Sequence, residues 1–261
     1  MLRFCCLGSG SRGNAYVVQA SDGQHSIQVL IDDGFSPREL ERRLARADVD
    51  IGGLGAILVT HEHSDHAGGV AAFARRRRLS VYATEGTAGA AGFNQCVRQL
   101  HRVRAGCELQ IGPLQVLPIE VPHDASEPVQ FIVSDGQRRL AILTDLGHPA
   151  STVTARLTDL DALVLEFNHD LDMLRAGPYS SVLKARIESD QGHLSNAQSL
   201  QLLRAIDRRR LRRVVAAHLS LTNNRPELAL AAFAALPMCE QVMCDLADQW
   251  LGLRWTVVAG P

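Results

Sequence analysis

The sequence lacks any hydrophobic run long enough to cross a membrane. Its N-terminus carries only a short apolar stretch, MLRFCCL, before glycine and serine follow; a spanning helix needs about 20 apolar residues. Closely spaced C-x-x-C pairs are also absent, because the six cysteines stand at positions 5, 6, 96, 107, 239 and 244. Neither a cysteine zinc site nor a disulfide framework is expected. We therefore expect a protein of the reduced cytoplasm without membrane attachment.

The sequence also has no excess of positive or of negative charge. The chain has 27 Lys and Arg against 28 Asp and Glu, a formal net charge of −1, so no global basic field would attract nucleic acid. Arginines nevertheless cluster at 75–78 and again at 208–213. Each cluster is either a solvated helix end or a track for phosphates, and the sequence leaves both open.

Apolar runs and turn residues alternate along the 261 residues, in a composition ordinary for a globular enzyme. Helices are expected at 36–47 and 195–206, each with a capping motif, and at 70–78, 86–99 and 226–235. Strands are expected at 2–7, 16–19, 27–31, 56–59, 80–83, 163–167, 214–217 and 241–243, with others between 108 and 143. Because no repeat or linker interrupts this alternation, one α/β domain over residues 1–261 is predicted.

The most informative stretch is Leu58–Gly68, which reads LVTHEHSDHAG. It places His61, His63, Asp65 and His66 directly after an apolar strand, where the chain turns. Imidazoles two residues apart can point at one ion there, and the following aspartate and histidine can serve a second. Histidine nitrogens with a carboxylate suit Zn, Mn or Fe, so the stretch predicts a metal centre.

Further ligand-type residues recur where predicted strands end. His123, Asp145, His169 and His218 all stand at such positions, and active sites of layered α/β folds gather at strand ends. We expect one ion to be bound by His61, His63 and His123, and the other by Asp65, His66 and His218. Asp145 would bridge the two ions and leave room for a shared hydroxide.

A loop of small polar residues, GSGSRGN at 8–14, follows the first predicted strand. Its backbone N–H groups and hydroxyls could bind a substrate phosphate. The residues concerned would be Ser9, Ser11, Arg12 and Asn14. A plain hairpin turn has the same composition, and the sequence does not choose between them.

The segment THEHSDHAGG at 60–69 resembles the H-x-H-x-D-H signature of the metallo-β-lactamase-fold hydrolases. This resemblance implies an αββα sandwich with two divalent metal ions at one edge of its two sheets. It also supports the later ligands, since that superfamily places a His, an Asp and a final His in the order of His123, Asp145 and His218. β-Lactam, thioester and phosphodiester hydrolysis all share the signature.

Other blocks resemble one branch of that superfamily, the YycJ (WalJ) group of nuclease-like proteins. They include LIDDG at 30–34, HDASEP at 123–128, LEFNHD at 165–170 and HLSLTNN at 218–224. The branch implies a phosphodiesterase, a 5′-to-3′ exonuclease acting on nucleic acid, DNA above all. Asp65 would be both ligand and catalytic residue, while Asp32 would support a ligand by hydrogen bonding.

Two further histidines are candidates for catalysis. His193 resembles the histidine of the Gly-His-Ser/Thr element in ribonuclease Z, a proton-donor candidate, although a structural loop histidine is the alternative. His169 would act in catalysis or orient a ligand.

Two rival functions stay open. A thioester hydrolase of the glyoxalase II kind would need a thiol-binding segment for which the chain shows no spare length. A non-catalytic protein could use the same metals only to hold a phosphate or a nucleic-acid end.

Overall fold

The computed structural model describes residues 1–236 and 242–260, in which two seven-stranded sheets face each other and helices cover their outer faces. The strands are β1 Leu2–Gly8, β2 Ala15–Ser21, β3 Ser26–Ile31, β4 Leu54–Leu58, β5 Ser80–Ala83, β6 Leu100–Arg102, β7 Leu109–Ile111, β8 Leu114–Glu120, β9 Val129–Ser134, β10 Arg139–Leu143, β11 Ala162–Glu166, β12 Arg213–Ala217, β13 Met243–Leu246 and β14 Leu253–Val257. The helices are α1 Pro37–Arg46, α2 Ser64–Ala67, α3 Val70–Arg77, α4 Glu85–Ala90, α5 Phe93–Cys96, α6 Ser151–Thr154, α7 Leu171–Ala176, α8 Ser181–Glu188, α9 Asn196–Ala205 and α10 Pro226–Ala234, with a 3₁₀ turn at Ile51–Gly53. The predicted αββα sandwich is confirmed.

The strand order brings one end of several strands to a common edge. The first sheet runs β14-β1-β2-β3-β4-β5-β6 and the second β13-β12-β11-β10-β9-β8-β7. Strands β3 to β6 are parallel to one another, as are β10 to β13. The carboxyl ends of parallel strands lie together, so the residues that follow them gather at one edge of the sandwich.

Three layers of apolar side chains hold the sandwich together. One lies between the sheets, and the other two lie between each sheet and its helices. Strands buried on both faces read as continuous apolar runs, as Leu163–Leu165 and Val214–Ala217 do. These runs made the central strands predictable.

Several predicted elements agree with the structure and others do not. The capping box of Ser195 and Gln198 opens α9, and Ser36 caps α1. The helix expected at 86–99 is instead split into α4 and α5, because Gly92 adopts a left-handed conformation with φ 68°, and β6 follows. Helices α7 and α8 and strand β14 were not predicted. Of the strand expected at 241–243, Met243 begins β13, while Gln241, like Cys239, lies outside the described residues.

Within residues 1–236 and 242–260, none of the helices has the length and hydrophobicity that a membrane span requires.

The turn after β3 packs directly on the metal-binding motif. A Cβ added to Gly34 would lie 1.9 Å from the backbone oxygen of Asp65. Two backbone hydrogen bonds hold the motif close to this glycine. Asp33 N–H donates to His66 O at 2.7 Å, and Asn14 N–H donates to Asp65 O at 2.7 Å. The motif therefore keeps its position only if residue 34 has no side chain.

We expect Gly34→Ala to lower the free energy of unfolding by about 1–3 kcal/mol, as overpacking does, and to weaken metal binding. Denaturant unfolding and metal titration would measure both effects. Gly89→Ala is the matched control, because a Cβ there meets nothing within 4 Å. Unchanged metal affinity in the Gly34 variant would show that the motif does not depend on this contact.

Candidate metal centre

The central motif leaves β4 and turns at once into the short helix α2. His61 is buried, His63 precedes α2 as its N-cap residue, and Asp65 and His66 lie within α2. The turn directs all four side chains to the common edge of the sheets.

Three imidazoles converge in the first donor triad, formed by His61, His63 and His123. His63 Nδ1 lies 3.0 Å from His61 Nε2 and 3.3 Å from His123 Nε2. Burial lowers the pKa of both His61 and His123, so their rings are neutral. Neutral imidazoles are the form that binds a metal ion.

The second donor triad is formed by Asp65, His66 and His218, whose ligand atoms lie within 4.8 Å of one another. Asp145 stands between the triads. Its Oδ2 lies 2.9 Å from His66 Nε2 and 3.0 Å from His218 Nδ1, and its Oδ1 lies 4.0 Å from His123 Nε2. The structure thus brings together all seven residues for which a ligand role was expected.

Two buried atoms test whether the cluster fits a metal ion. Asp145 Oδ2 and His218 Nδ1 have no hydrogen-bond partner in the described part of the chain, although they lie close together. Unpaired buried polar atoms are costly, and a cation between them would remove that cost. The donor set of imidazoles and carboxylates also suits a divalent transition metal. The residues present therefore fit a bound metal ion.

Three residues of the cluster have an unusual backbone. Asp32, Asp145 and His218 have φ values of 60°, 58° and 53°, a left-handed conformation that non-glycine residues seldom adopt. Each directly or closely follows a strand, at the point where the chain turns. Such strain persists only where the surroundings impose it, and here it directs the side chains into the site.

Asp32 supports the second triad from behind. Its Oδ2 lies 2.8 Å from His66 Nδ1, and the carboxylate also accepts hydrogen bonds from the Thr60 N–H and hydroxyl, each at 2.8 Å. A proton held on Nδ1 leaves His66 Nε2 available as a ligand. Burial alone would lower the pKa of His66. The negative charges of Asp145 and Asp32 outweigh this effect, so the pKa of His66 is raised well above its ordinary value.

His193 lies beside the cluster and is held by a residue that was not predicted. Its Nδ1 lies 2.8 Å from Glu166 Oε1 and 3.4 Å from Asp145 Oδ1. Glu166 is fully buried and its Oε2 accepts the N–H groups of Leu146 and Leu194. Burial lowers the pKa of His193, but Glu166 and Asp145 together raise it to about 9.

A cavity of about 400 Å³ opens onto the cluster. Part of its wall is formed by Tyr179, two residues before α8, and by Leu183 and Arg186 within α8. Arg186 Nε lies 2.5 Å from Asp124 Oδ2, and Asp124 Oδ1 lies 3.5 Å from His123 Nε2. The cavity therefore carries one guanidinium group close to the donor triads.

The four candidate phosphate-binding residues of the loop at 8–14 have different surroundings in the structure. Ser11 lines the cavity, and Asn14 Nδ2 lies 3.0 Å from His66 Nε2. Ser9 is buried and its hydroxyl accepts hydrogen bonds from the Tyr16 hydroxyl and from His218 N–H, so it holds the backbone rather than facing the cavity. Arg12 is exposed, with its guanidinium over the ring of Trp250.

His169 is not brought into the cluster. It is buried, borders a different cavity with Glu188, and neither ring nitrogen has a hydrogen-bond partner among the described residues. Burial lowers its pKa to about 4. This placement does not favour the catalytic role expected for it.

Neither arginine cluster borders the metal-site cavity. The run at 75–78 lies at the C-terminal end of α3. This helix has 8 residues and is therefore about 12 Å long, at a rise of 1.5 Å per residue, and its other end adjoins the metal-binding motif. Arg76 and Arg77 pair with Glu41, while Arg75 and Arg78 line a separate cavity with Arg98. In the second cluster, three arginines pair with carboxylates: Arg209 with Asp207, Arg210 with Asp161 and Arg213 with Asp245.

Residues 28–219 match the model of the β-lactamase superfamily domain. The chain belongs to this superfamily. It is 36% identical over 231 residues to the exodeoxyribonuclease YycJ of Bacillus anthracis, covering 87% of this chain and 86% of that protein. It is 32% identical over 232 residues to the exodeoxyribonuclease WalJ of Streptococcus pneumoniae, covering 87% and 85%.

The fold agrees with this assignment. The crystal structure of the metallo-β-lactamase fold protein YhfI from Bacillus subtilis superposes with a TM-score of 0.72 at 14% identity, covering 96% of this chain and 98% of that one. The resemblance inferred from the sequence motifs is confirmed, and the chain is an enzyme of a hydrolase superfamily with His and Asp clusters able to bind metal.

We expect His61→Ala and Asp145→Ala each to lose bound metal and nearly all hydrolysis while keeping the fold, because three apolar layers bury the core independently of the site. Metal analysis and circular dichroism would check this.

His25→Ala is the control, because the side chain of His25 is 75% exposed in a loop. Full metal occupancy in the His61 and Asp145 variants would contradict the ligand assignment.

Proposed function

We propose that this enzyme is a two-metal phosphodiesterase that degrades DNA from a 5′ end. Relatives that match most of the chain carry the name exodeoxyribonuclease, which supports nucleic acid as its substrate. The two donor triads on either side of Asp145 support two divalent ions, of Zn, Mn or Fe. We expect it to work in the cytoplasm, as one domain over residues 1–261.

Two ions bound to the triads would act as Lewis acids and make hydroxide available at neutral pH. The chain's own residues then have to bind the phosphodiester and protonate its leaving group. Arg186 and the Ser11 hydroxyl line the cavity beside the triads and can bind phosphate oxygens. Asn14, which contacts His66, would help to hold the second triad in place.

The observation that carries the proposal is the position of His193. Its Nδ1 is engaged by Glu166 at 2.8 Å, which leaves Nε2 as the nitrogen available to substrate, and the ring lines the cavity. A nucleoside alkoxide is a poor leaving group that needs a proton, whereas a thiolate leaves without one. A proton donor beside the metal centre therefore favours a phosphodiester over a thioester.

The rival functions have weaker support. A glyoxalase II type thioester hydrolase would need a surface for a glutathione-like thiol, and the cavity offers Arg186 and Asp124 rather than such a segment. A metal-dependent protein that only binds phosphate or a nucleic-acid end could use His193 as a cation, but it would not need His193 as a proton donor.

DNA oligonucleotides labelled at the 5′ or the 3′ end, incubated with each divalent metal in turn, would test the proposal. We expect the 5′ label to be released first as a small product while the 3′-labelled strand shortens progressively. S-Lactoylglutathione should not be hydrolysed. Turnover of the thioester without cleavage of DNA would overturn the proposal, and metal-dependent DNA binding without turnover would favour the binding function.

His193→Ala should cost about 10²–10⁴-fold in turnover of DNA, the usual range for general acid–base catalysis. On bis-(p-nitrophenyl) phosphate the cost should be far smaller, because the phenolate leaves without a proton. Steady-state rates on both substrates, with metal analysis of each variant, would measure the difference.

Glu166→Gln is the matching variant, because it removes the charge behind His193 but keeps a hydrogen-bond acceptor. It should show the same unequal loss to a lesser degree. An equal loss on the two substrates would argue that His193 only binds phosphate, and a loss of metal would make it a ligand.

A further inference from the structure

Two large apolar side chains are exposed on the turn between β13 and β14. Trp250 is 48% exposed and Leu251 is 74% exposed. Leu221, just past the cavity-lining Ser220, is 58% exposed. Neighbouring exposed apolar side chains such as Trp250 and Leu251 can form part of a binding surface.

The strand order places this turn at the metal-site edge. β13 runs parallel to β12, whose carboxyl end leads to His218. β14 returns antiparallel to β1, whose carboxyl end leads into the loop at 8–14. Because neighbouring strands are about 4.8 Å apart, Trp250 lies within a few strand widths of the donor triads.

The turn is held rigidly. Asp248 Oδ1 accepts the N–H groups of Trp250 and Leu251, each at 2.7 Å. The buried Gln249 accepts Arg12 N–H at 3.0 Å and donates to Gly13 O at 3.1 Å. Arg43 donates to Trp250 O at 3.2 Å. The tryptophan is therefore fixed to the same loop that supplies Ser11 to the cavity.

Arg12 completes the surface. Its guanidinium carbon lies 5.5 Å from the centre of the Trp250 ring, and its side chain makes no hydrogen bond or ion pair to any described residue that would neutralise it. The other Trp–Arg pair of the chain differs: Arg3 lies 4.2 Å from the half-buried Trp255 and is bound by Gln19 Oε1. Arg12 thus has its charge available for an anion.

We propose that Trp250 is a stacking surface for a nucleobase of single-stranded DNA, with Arg12 binding a neighbouring phosphate. The inference rests on the proposed function and names where the strand beyond the scissile phosphate is held. Base stacking on an aromatic ring tolerates any sequence, because every base has a π face. An enzyme that removes successive nucleotides needs that tolerance. A protein partner fits less well, because one Trp and two Leu fall far short of the roughly 800 Å² that a stable interface buries on each side.

Fluorescence gives a direct test, because the chain has only two tryptophans. In a Trp255→Phe variant, Trp250 is the sole tryptophan, and a short phosphorothioate oligothymidylate, which resists cleavage, should quench its emission. An abasic oligomer of the same length keeps the phosphates but has no base to stack, so it should quench far less. Equal quenching by both oligomers, or none by either, would overturn the inference.

Affinity gives an independent test. Trp250→Ala should weaken oligothymidylate binding by about 5- to 140-fold, the range for loss of one stacked base, and leave binding of the abasic oligomer unchanged. Trp250→Phe should restore most of the loss and Trp250→Leu should not, because only phenylalanine can stack. Turnover of methyl p-nitrophenyl phosphate, which has no nucleotide strand beyond the scissile phosphate, should stay at the wild-type level in all three.

The two proposals fail differently. If Trp250→Ala binds and degrades DNA as well as the wild type does, the stacking surface is wrong and the nuclease proposal stands. If the wild-type enzyme neither binds nor degrades DNA, both are wrong.

Discussion

The buried carboxylate of Asp145 is the constraint on which the rest of the site depends. Its oxygens lie within 4.0 Å of nitrogen atoms of His66, His123, His193 and His218. A buried negative charge is tolerated only when positive groups or metal ions compensate it. Burial raises the pKa of Asp145, but His218 and His66 outweigh it and hold the pKa well below its usual value. His66 comes from the first sheet and Asp145 and His218 from the second, so this charge also joins the two sheets at their common edge.

Much of the fold and of the metal centre could be predicted from the sequence, because these features depend on the spacing of residues that are close together in the chain. The motif at 61–66 needs only a strand end and a turn to bring its side chains together, and the central strands are continuous apolar runs. Asp145 and His218 follow the same rule, since parallel strands deliver their carboxyl ends to one edge. His123 reaches that edge because β8, although antiparallel to β9, runs in the same direction as β10. The capped helices α1 and α9 were recognisable from their first residues.

Other parts of the site and of the fold could not be predicted from the sequence, for physical reasons. Glu166 ends an apolar strand, and nothing in the sequence distinguishes a buried acid that orients His193 from an ordinary strand residue. His169 also follows a strand, yet strand ends do not fix the side on which a side chain emerges. The small residues at 8–14 predict a loop without telling which hydroxyl is buried, so Ser9 and Ser11 differ only in the folded chain. Helix α8 has no buried residue and therefore no apolar stripe to reveal it.

The exposed surface of helix α8 is free to vary during evolution. Helix α8 forms part of the cavity wall, yet polar contacts rather than buried apolar side chains tie it to the rest of the molecule: Arg186 with Asp124, Lys184 and Glu188 with Arg175, and the Ile187 carbonyl with His193 N–H. Replacing its outward-facing residues would disturb neither the three apolar layers nor the metal ligands. Selection can therefore remodel the cavity wall for a new substrate while the catalytic framework is inherited unchanged, which is one route by which a single scaffold diversifies.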